Sequence, residues 1–343
     1  MSKPFDLLRE LARFSEGNDI NLNDASIRSA FGLHVEKAID LALKDPALLQ
    51  GQRAEAMFEA LVISLGEFQL LKPEDSGRVF ASERMQPPDF RVVLKDGTNW
   101  LIEVKNVYQP NAIHQRRRLL TRDYRKSLDR YATATGGTLK LAIFWARWSI
   151  WTLVDPERID PGGGDLALDM MDALKMSELA SLGDESIGIR APLLLRLTMD
   201  PKRTSSIASN GTVHVTIGNA QIFSAGFELS NPSDQQIAWT VMQYGDWEMG
   251  EPKAVVEGDR LIALEFDCAP LKPSGQGFES VGFLSRLFAR YYADKTMKEG
   301  EVIRIKVPAQ LEWFQALRQK DGTARMPIWR FVLKPNQDSR LIR

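Results

Sequence analysis

The sequence predicts an α/β core, preceded by a helical segment and followed by an α+β half. Three observations carry this: a helical repeat over residues 51–66, two apolar strands joined by a turn over 89–104, and a helix followed by two strands over 112–154. Helices alternating with strands build a sheet covered by helices.

Gly51-Gln52-Arg53-Ala54-Glu55 opens the first of these elements. Met57, Phe58, Leu61, Val62 and Leu65 then recur at helical spacing, and Gly66 supplies a stop. Residues 89–94 and 100–104 are rich in Phe, Val, Leu, Ile and Trp. Between them Lys95-Asp96-Gly97-Thr98-Asn99 brings turn chemistry, because Asp-Gly tolerates the positive φ of a tight reversal. A long helix is expected over 112–134, with Leu120, Tyr124, Leu128 and Tyr131 on an apolar face. Arg118, Arg122 and Arg125 form a basic stripe on it, joined by Arg116, Arg117, Lys126 and Arg130. Gly136-Gly137 leads into the apolar strand 139–145, and a second strand covers 149–154.

The hairpin carries the chemistry. Thirteen residues separate Asp89 from Glu103. Strand alternation puts Glu103 and Lys105 on one face and Val104 on the other, with Asp89 able to lie across from them. Two carboxylates and an ammonium at one sheet edge suit a divalent metal and an activated water. The plainer alternative is an exposed hairpin whose charges face solvent.

Pro88-Asp89 … Glu103-Val104-Lys105, in this order of elements, resembles the PD-(D/E)xK nuclease superfamily, the fold of many restriction enzymes, Holliday-junction resolvases and repair nucleases. The likeness covers roughly residues 50–155. It implies a restriction-endonuclease-like core, a mixed central sheet flanked by helices, and hydrolysis of DNA phosphodiester bonds to products with a 5′-phosphate. By the same resemblance Asp89, Glu103 and the Val104 carbonyl hold Mg²⁺ or Mn²⁺, and Lys105 orients or deprotonates the attacking water. Resolvase-like members carry a further carboxylate on the first helix. Glu55 matches that position better than Glu59, one turn on, and is expected to reach the metal directly or through water. A Gln-x-x-x-Tyr motif found in RecB-like branches is only half matched, since Ser127 precedes Tyr131.

Beside such a site the arginine-rich segment gains a role. Arg118, Arg122, Arg125 and Lys126 are expected to contact nucleic-acid phosphates; the alternative is a solvated face balanced by Asp123 and Asp129.

Composition sets the outer bounds. The 343 residues include 44 basic and 45 acidic side chains, so attraction to DNA must come from local patches. Cys268 is the sole cysteine, which rules out an internal disulfide or a multi-cysteine zinc site and fits a reducing cytoplasm. His34, His114 and His214 lie too far apart in sequence to suggest a histidine metal cluster. No signal-peptide pattern and no run of about twenty apolar residues is seen, so no membrane association is expected.

Three segments are expected: helices over 1–48, the nuclease-like domain over 49–160, and an α+β accessory domain over 165–343 that selects substrate, partner or trigger. Asp155-Pro156 through Pro161-Gly162-Gly163-Gly164 marks the break between the last two. Beyond it a helix is expected over 166–182. Strands are expected over 192–199, 212–217, 220–229 and 260–266, and helices over 234–244, 279–292 and 309–319. Arg286 and Arg290 on one of these read as solvated arginines on a core helix, and Trp145, Trp148 and Trp151 as core. Cleavage of both strands would require a homodimer or larger assembly. The competing functions are a catalytically silent nucleic-acid-binding or assembly module, and a nuclease acting on RNA.

Overall fold

The computed structural model describes residues 4–74, 79–111, 113–318 and 325–335. The chain divides into two compact units, residues 1–53 and 54–343. The first contains α1 (Pro4–Asn18) and α2 (Ile27–Leu43), with Phe14 packing against Phe31 and His34 at 5.6 and 5.1 Å between ring centroids. The division falls inside α3 (Pro46–Leu65).

The second unit begins with the rest of α3. Met57, Phe58, Leu61, Val62 and Leu65 are buried, and Gly66 ends the helix at φ +70°, a conformation that costs a residue without a Cβ little. Next come β1 (Phe68–Pro73), β2 (Phe90–Leu94) and β3 (Asn99–Val107), then β4 (Arg117–Leu120), α4 (Arg122–Ala134), β5 (Thr138–Trp145) and β6 (Ile150–Val154). Five of the strands form one mixed sheet in the order β1-β2-β3-β5-β6, in which only β3 and β5 run parallel. The β2–β3 hairpin pairs Phe90 with Ile102 and Val92 with Trp100. It turns through Gly97 at φ +87°, where the Asp96 side chain accepts from the Thr98 amide at 2.9 Å.

Central β3 is buried from Trp100 to Val104, as expected for a strand covered on both faces. Trp100, Ile102 and Val104 belong to the same apolar cluster as Phe90, Val92 and the α3 residues. Leu101 and Val107 belong to the opposite cluster, with Leu128 of α4 and Leu139, Leu141 and Ile143 of β5. Odd-numbered β3 residues therefore face α4, and this parity decides where Glu103 and Lys105 point.

The helix expected over 112–134 is instead a strand and a shorter helix. Thr121 is extended and its hydroxyl accepts from the Tyr124 amide at 3.4 Å, which starts α4 at Arg122. The preceding residues join a ladder, with Arg117 opposite Leu168 and Leu120 opposite Leu166 in β7 (Leu166–Leu168). Ala112 lies outside the described residues. A four-residue α5 (Pro156–Ile159) lies between β6 and β7. The helix expected over 166–182 likewise breaks up: Asp169 caps α6 (Met170–Lys175) by accepting from Asp172 N at 2.9 Å, and a 3₁₀ turn follows at Leu179–Leu182.

Gly162–Gly164 does not separate two compact units; residues 54–343 form one. Leu153, Trp151 and Phe144 of the mixed sheet share an apolar cluster with Leu284, Leu287, Phe288 and Tyr292 from the C-terminal half. That half contains β8 (Ser186–Ile189), β9 (Leu193–Met199), β10 (Ile217–Ser224), β11 (Phe227–Glu228), α7 (Pro232–Tyr244), β12 (Glu248–Met249), β13 (Lys253–Glu257), β14 (Arg260–Ala269), β15 (Glu279–Phe283) and α8 (Leu284–Thr296). β9 to β14 make a six-stranded antiparallel sheet, and β15, β8 and Ile328–Phe331 a three-stranded one.

Sequence expectation and structure differ here in several places. Glu279–Phe283 is strand because it pairs with β8, so α8 starts only at Leu284. The strand expected over 212–217 forms only from Ile217, opposite Met199. The helix expected over 309–319 is short, Gln315–Arg318, and Gln319 lies outside the described residues. Arg286 and Arg290 are not simply solvated, since both hold Asp246 at 2.8 Å. Among the described residues no helix is long and apolar enough to cross a membrane.

Candidate active site

Pro87-Pro88 delivers the chain to β2 in an extended conformation. Asp89, the residue before β2, is tied at its carbonyl, which accepts from the Glu74 amide at 2.8 Å. Its side chain shares the α4-facing side of the sheet with Glu103 and Lys105. The Val104 amide donates to Asp89 Oδ2 at 2.6 Å, which joins the two strands at the position where the carboxylates meet. In an extended strand a residue's N–H and C=O point to the same edge, so the Val104 carbonyl also faces the Asp89 side.

Glu103 is buried, with 2 % of its surface exposed. Its Oε1 accepts from Lys105 Nζ and from the Tyr124 hydroxyl, the latter at 2.7 Å. Oε2 is buried and, among the described residues, has no hydrogen-bond partner. An orphaned anionic oxygen in such a place is costly, and a cation is the usual remedy.

Electrostatics point the same way. Burial, then the neighbouring charge of Glu103, then that of Glu55, push the Asp89 carboxyl up to about 8, against the opposing pull of the Val104 amide and Lys105. Two carboxylates that resist joint ionisation are relieved by a divalent ion beside them. Burial and the Glu103 charge also raise the Tyr124 phenol far above its ordinary range, so it stays a hydrogen-bond donor.

The donor set is hard oxygen: two carboxylates and a backbone carbonyl, with a third carboxylate close enough to act through its charge. That suits Mg²⁺ or Mn²⁺. Among the described residues no three His, Cys, Asp or Glu side chains converge into a ready metal cage, so any ion here leans on the carbonyl and on water as well.

The two glutamates of α3 separate in role. Glu55 is half-buried, and its charge bears on both Asp89 and Tyr124. Glu59 faces away toward Lys306 at 3.6 Å.

The expected basic stripe divides. Arg118 lies on a strand, exposed, and pairs with Asp165 at 3.3 Å, while Arg122 and Lys126 are exposed on α4. Arg125 cannot take the phosphate-contacting role expected of it. It is 1 % exposed and donates to the carbonyls of Pro156 and Asp160 at 3.1 and 2.8 Å and to the carboxylates of Glu157 and Asp160 at 3.3 Å. It is a clamp between α4 and the α5 segment. The α4 face carrying residues 125, 128 and 132 is the buried one.

Tyr124 is the site residue that sequence reasoning missed. Its only signal was position: it follows an N-cap on the helix after the Glu-x-Lys strand, where an apolar ring and a polar hydroxyl serve equally well as core.

No protein-family model matches the chain, and no curated protein does. Among solved structures, a Holliday junction resolvase from Archaeoglobus fulgidus, Hjc, matches at 17 % identity and a TM-score of 0.25, over 33 % of this chain and 84 % of that one.

Proposed function

We propose that this chain is a metal-dependent nuclease that hydrolyses DNA phosphodiester bonds at Asp89, Glu103 and Lys105, serving restriction and phage defence or DNA repair. The observation that carries the reading is the buried, unpartnered Oε2 of Glu103 beside Asp89, with Lys105 on the same carboxylate. A Mg²⁺ or Mn²⁺ ion held by Asp89, Glu103 and the Val104 carbonyl, with Glu55 directly or through water, would supply an acidified water and offset charge on the phosphoryl oxygens.

The chain's own groups do the rest. Lys105 is half-buried, and its ammonium would orient the attacking water and stand beside the phosphate. Arg118, Arg122 and Lys126, all exposed, track the nucleic-acid backbone. Each chain offers one such site, so cutting both strands calls for two chains.

A second reading is a silent nucleic-acid-binding or assembly module. It is favoured by the ion pair already closed between Lys105 and Glu103, and by the lack of a three-side-chain metal cage among the described residues. Incubation with supercoiled, linear and single-stranded DNA and with RNA, in Mg²⁺, Mn²⁺ or EDTA, separates the readings. Metal-dependent cutting of DNA supports the nuclease, and cutting confined to RNA changes the substrate. No cutting, together with no metal bound in calorimetry, favours the silent module.

A further inference from the structure

Resting on the metal-site reading above, we infer that Tyr124 is a positioning residue, whose hydroxyl fixes Glu103 so that one carboxylate oxygen stays presented to a cation. Two donors to Glu103 converge on Oε1: Lys105 Nζ and the Tyr124 hydroxyl, the latter at 2.7 Å. Oε2 is left buried and, among the described residues, without a hydrogen-bond partner. A carboxylate held by two donors on one oxygen cannot turn about its last torsion without losing a hydrogen bond, so the second oxygen keeps its direction.

Tyr124 also holds Lys105. The ammonium lies 5.3 Å from the centre of the phenol ring, within reach of a cation–π contact. One side chain therefore restrains both the acidic and the basic member of the Glu-x-Lys pair. Without the hydroxyl, Glu103 is free to rotate until Lys105 bridges its two oxygens, and the ammonium then competes with a metal for the carboxylate.

The position of Tyr124 is itself fixed from outside the site. Its amide is held by the Thr121 cap at 3.4 Å. Its neighbour Arg125 anchors the same helical turn to Pro156, Glu157 and Asp160. Leu128, one turn on, is fully buried under the sheet. The buried Arg125 clamp thus anchors the helical turn that carries Tyr124.

The test is Mn²⁺ calorimetry on the full chain, its Tyr124→Phe variant and an Asp89→Ala control, with thermal melting of each in EDTA. Phe keeps the ring and removes only the hydroxyl. The expected result is that the parent binds Mn²⁺, Asp89→Ala does not, and Tyr124→Phe binds about 10–100-fold more weakly with its melting temperature unchanged. In cleavage assays the half-saturating Mn²⁺ concentration should rise by the same factor, while KM for DNA at saturating Mn²⁺ stays put. Unchanged Mn²⁺ affinity in Tyr124→Phe overturns the inference and leaves the metal site standing. Weakened affinity with a matching fall in melting temperature also overturns it, since the hydroxyl would then be a general structural tie. A parent that binds no Mn²⁺ removes the metal-site reading, and this inference with it.

Discussion

The Val104 amide donates to Asp89 Oδ2 at 2.6 Å, so the first carboxylate of the site is held by the backbone of the strand that carries the second. The hydrogen bond sets the spacing of Asp89 from Glu103 at the cost of close approach between two acids. That cost shows in the Asp89 carboxyl, which burial and the Glu103 charge drive up to about 8.

Replacing this acid by its amide should therefore leave the fold intact. Asp89→Asn keeps an acceptor for the Val104 amide and removes the cost of holding a buried acid protonated beside Glu103. Urea unfolding should show stability equal to or above the parent, while metal binding is lost. A loss of more than about 2 kcal/mol, the scale of an unsatisfied buried polar group, would mean that Asp89 serves the fold and not the site.

Arg125 and Arg122 should behave in opposite ways. Arg125→Ala removes the buried guanidinium that ties α4 to Pro156, Glu157 and Asp160 and should cost roughly 1.5–3 kcal/mol in urea unfolding, the scale of lost hydrogen bonds to a charged group. Arg122→Ala, at an exposed position, should fall within about 0.5 kcal/mol of the parent.

DNA binding offers the converse pattern. Each of Arg118→Ala, Arg122→Ala and Lys126→Ala should weaken binding alike across DNA sequences. Each should also flatten the slope of log affinity against log salt by about 1, the mark of a lost phosphate contact. Unchanged slopes in all three would remove this surface from the account.

Glu74 gives a pH prediction away from the site. Burial works against its charge, but hydrogen bonds from Arg91 Nη2 at 2.8 Å and from the Tyr131 hydroxyl at 2.7 Å, with the charges of Arg91 and Lys72, outweigh it and hold the carboxyl at about 2. A depressed carboxyl stabilises the fold above its ordinary value of 4.5, and the contribution is lost as pH falls through about 2. Acid unfolding of Glu74→Gln should lack that component between pH 4.5 and 2 and start from lower stability at neutral pH.

Local rules made part of this legible. Alternation along β3 is enough to place Glu103 and Lys105 on one face, Asp-Gly is enough to predict the hairpin, and the repeat from Met57 to Leu65 is enough to predict α3. What escaped depends on partners far along the chain. Arg117 and Leu120 are strand because they meet Leu168 and Leu166, and nothing near residue 117 announces that ladder. Arg125 reads as one more surface arginine until Glu157 and Asp160 arrive from about thirty residues on. Tyr124 matched an apolar helix face, and periodicity carries no information about what its hydroxyl touches. Thr121 was the one overlooked local signal, since a threonine before Arg122-Asp123 is an N-cap pattern that moves the helix start past the arginines.

The central claim, that Asp89, Glu103 and Lys105 form a hydrolytic metal site, is tested most directly by single-turnover cleavage of supercoiled DNA in Mg²⁺ and Mn²⁺ with the parent chain and Lys105→Ala. The account predicts cutting by the parent that EDTA abolishes, and a drop of about 10²–10⁴-fold in Lys105→Ala with metal affinity retained. Equal cutting by both proteins, or cutting by the parent that survives EDTA, would contradict it.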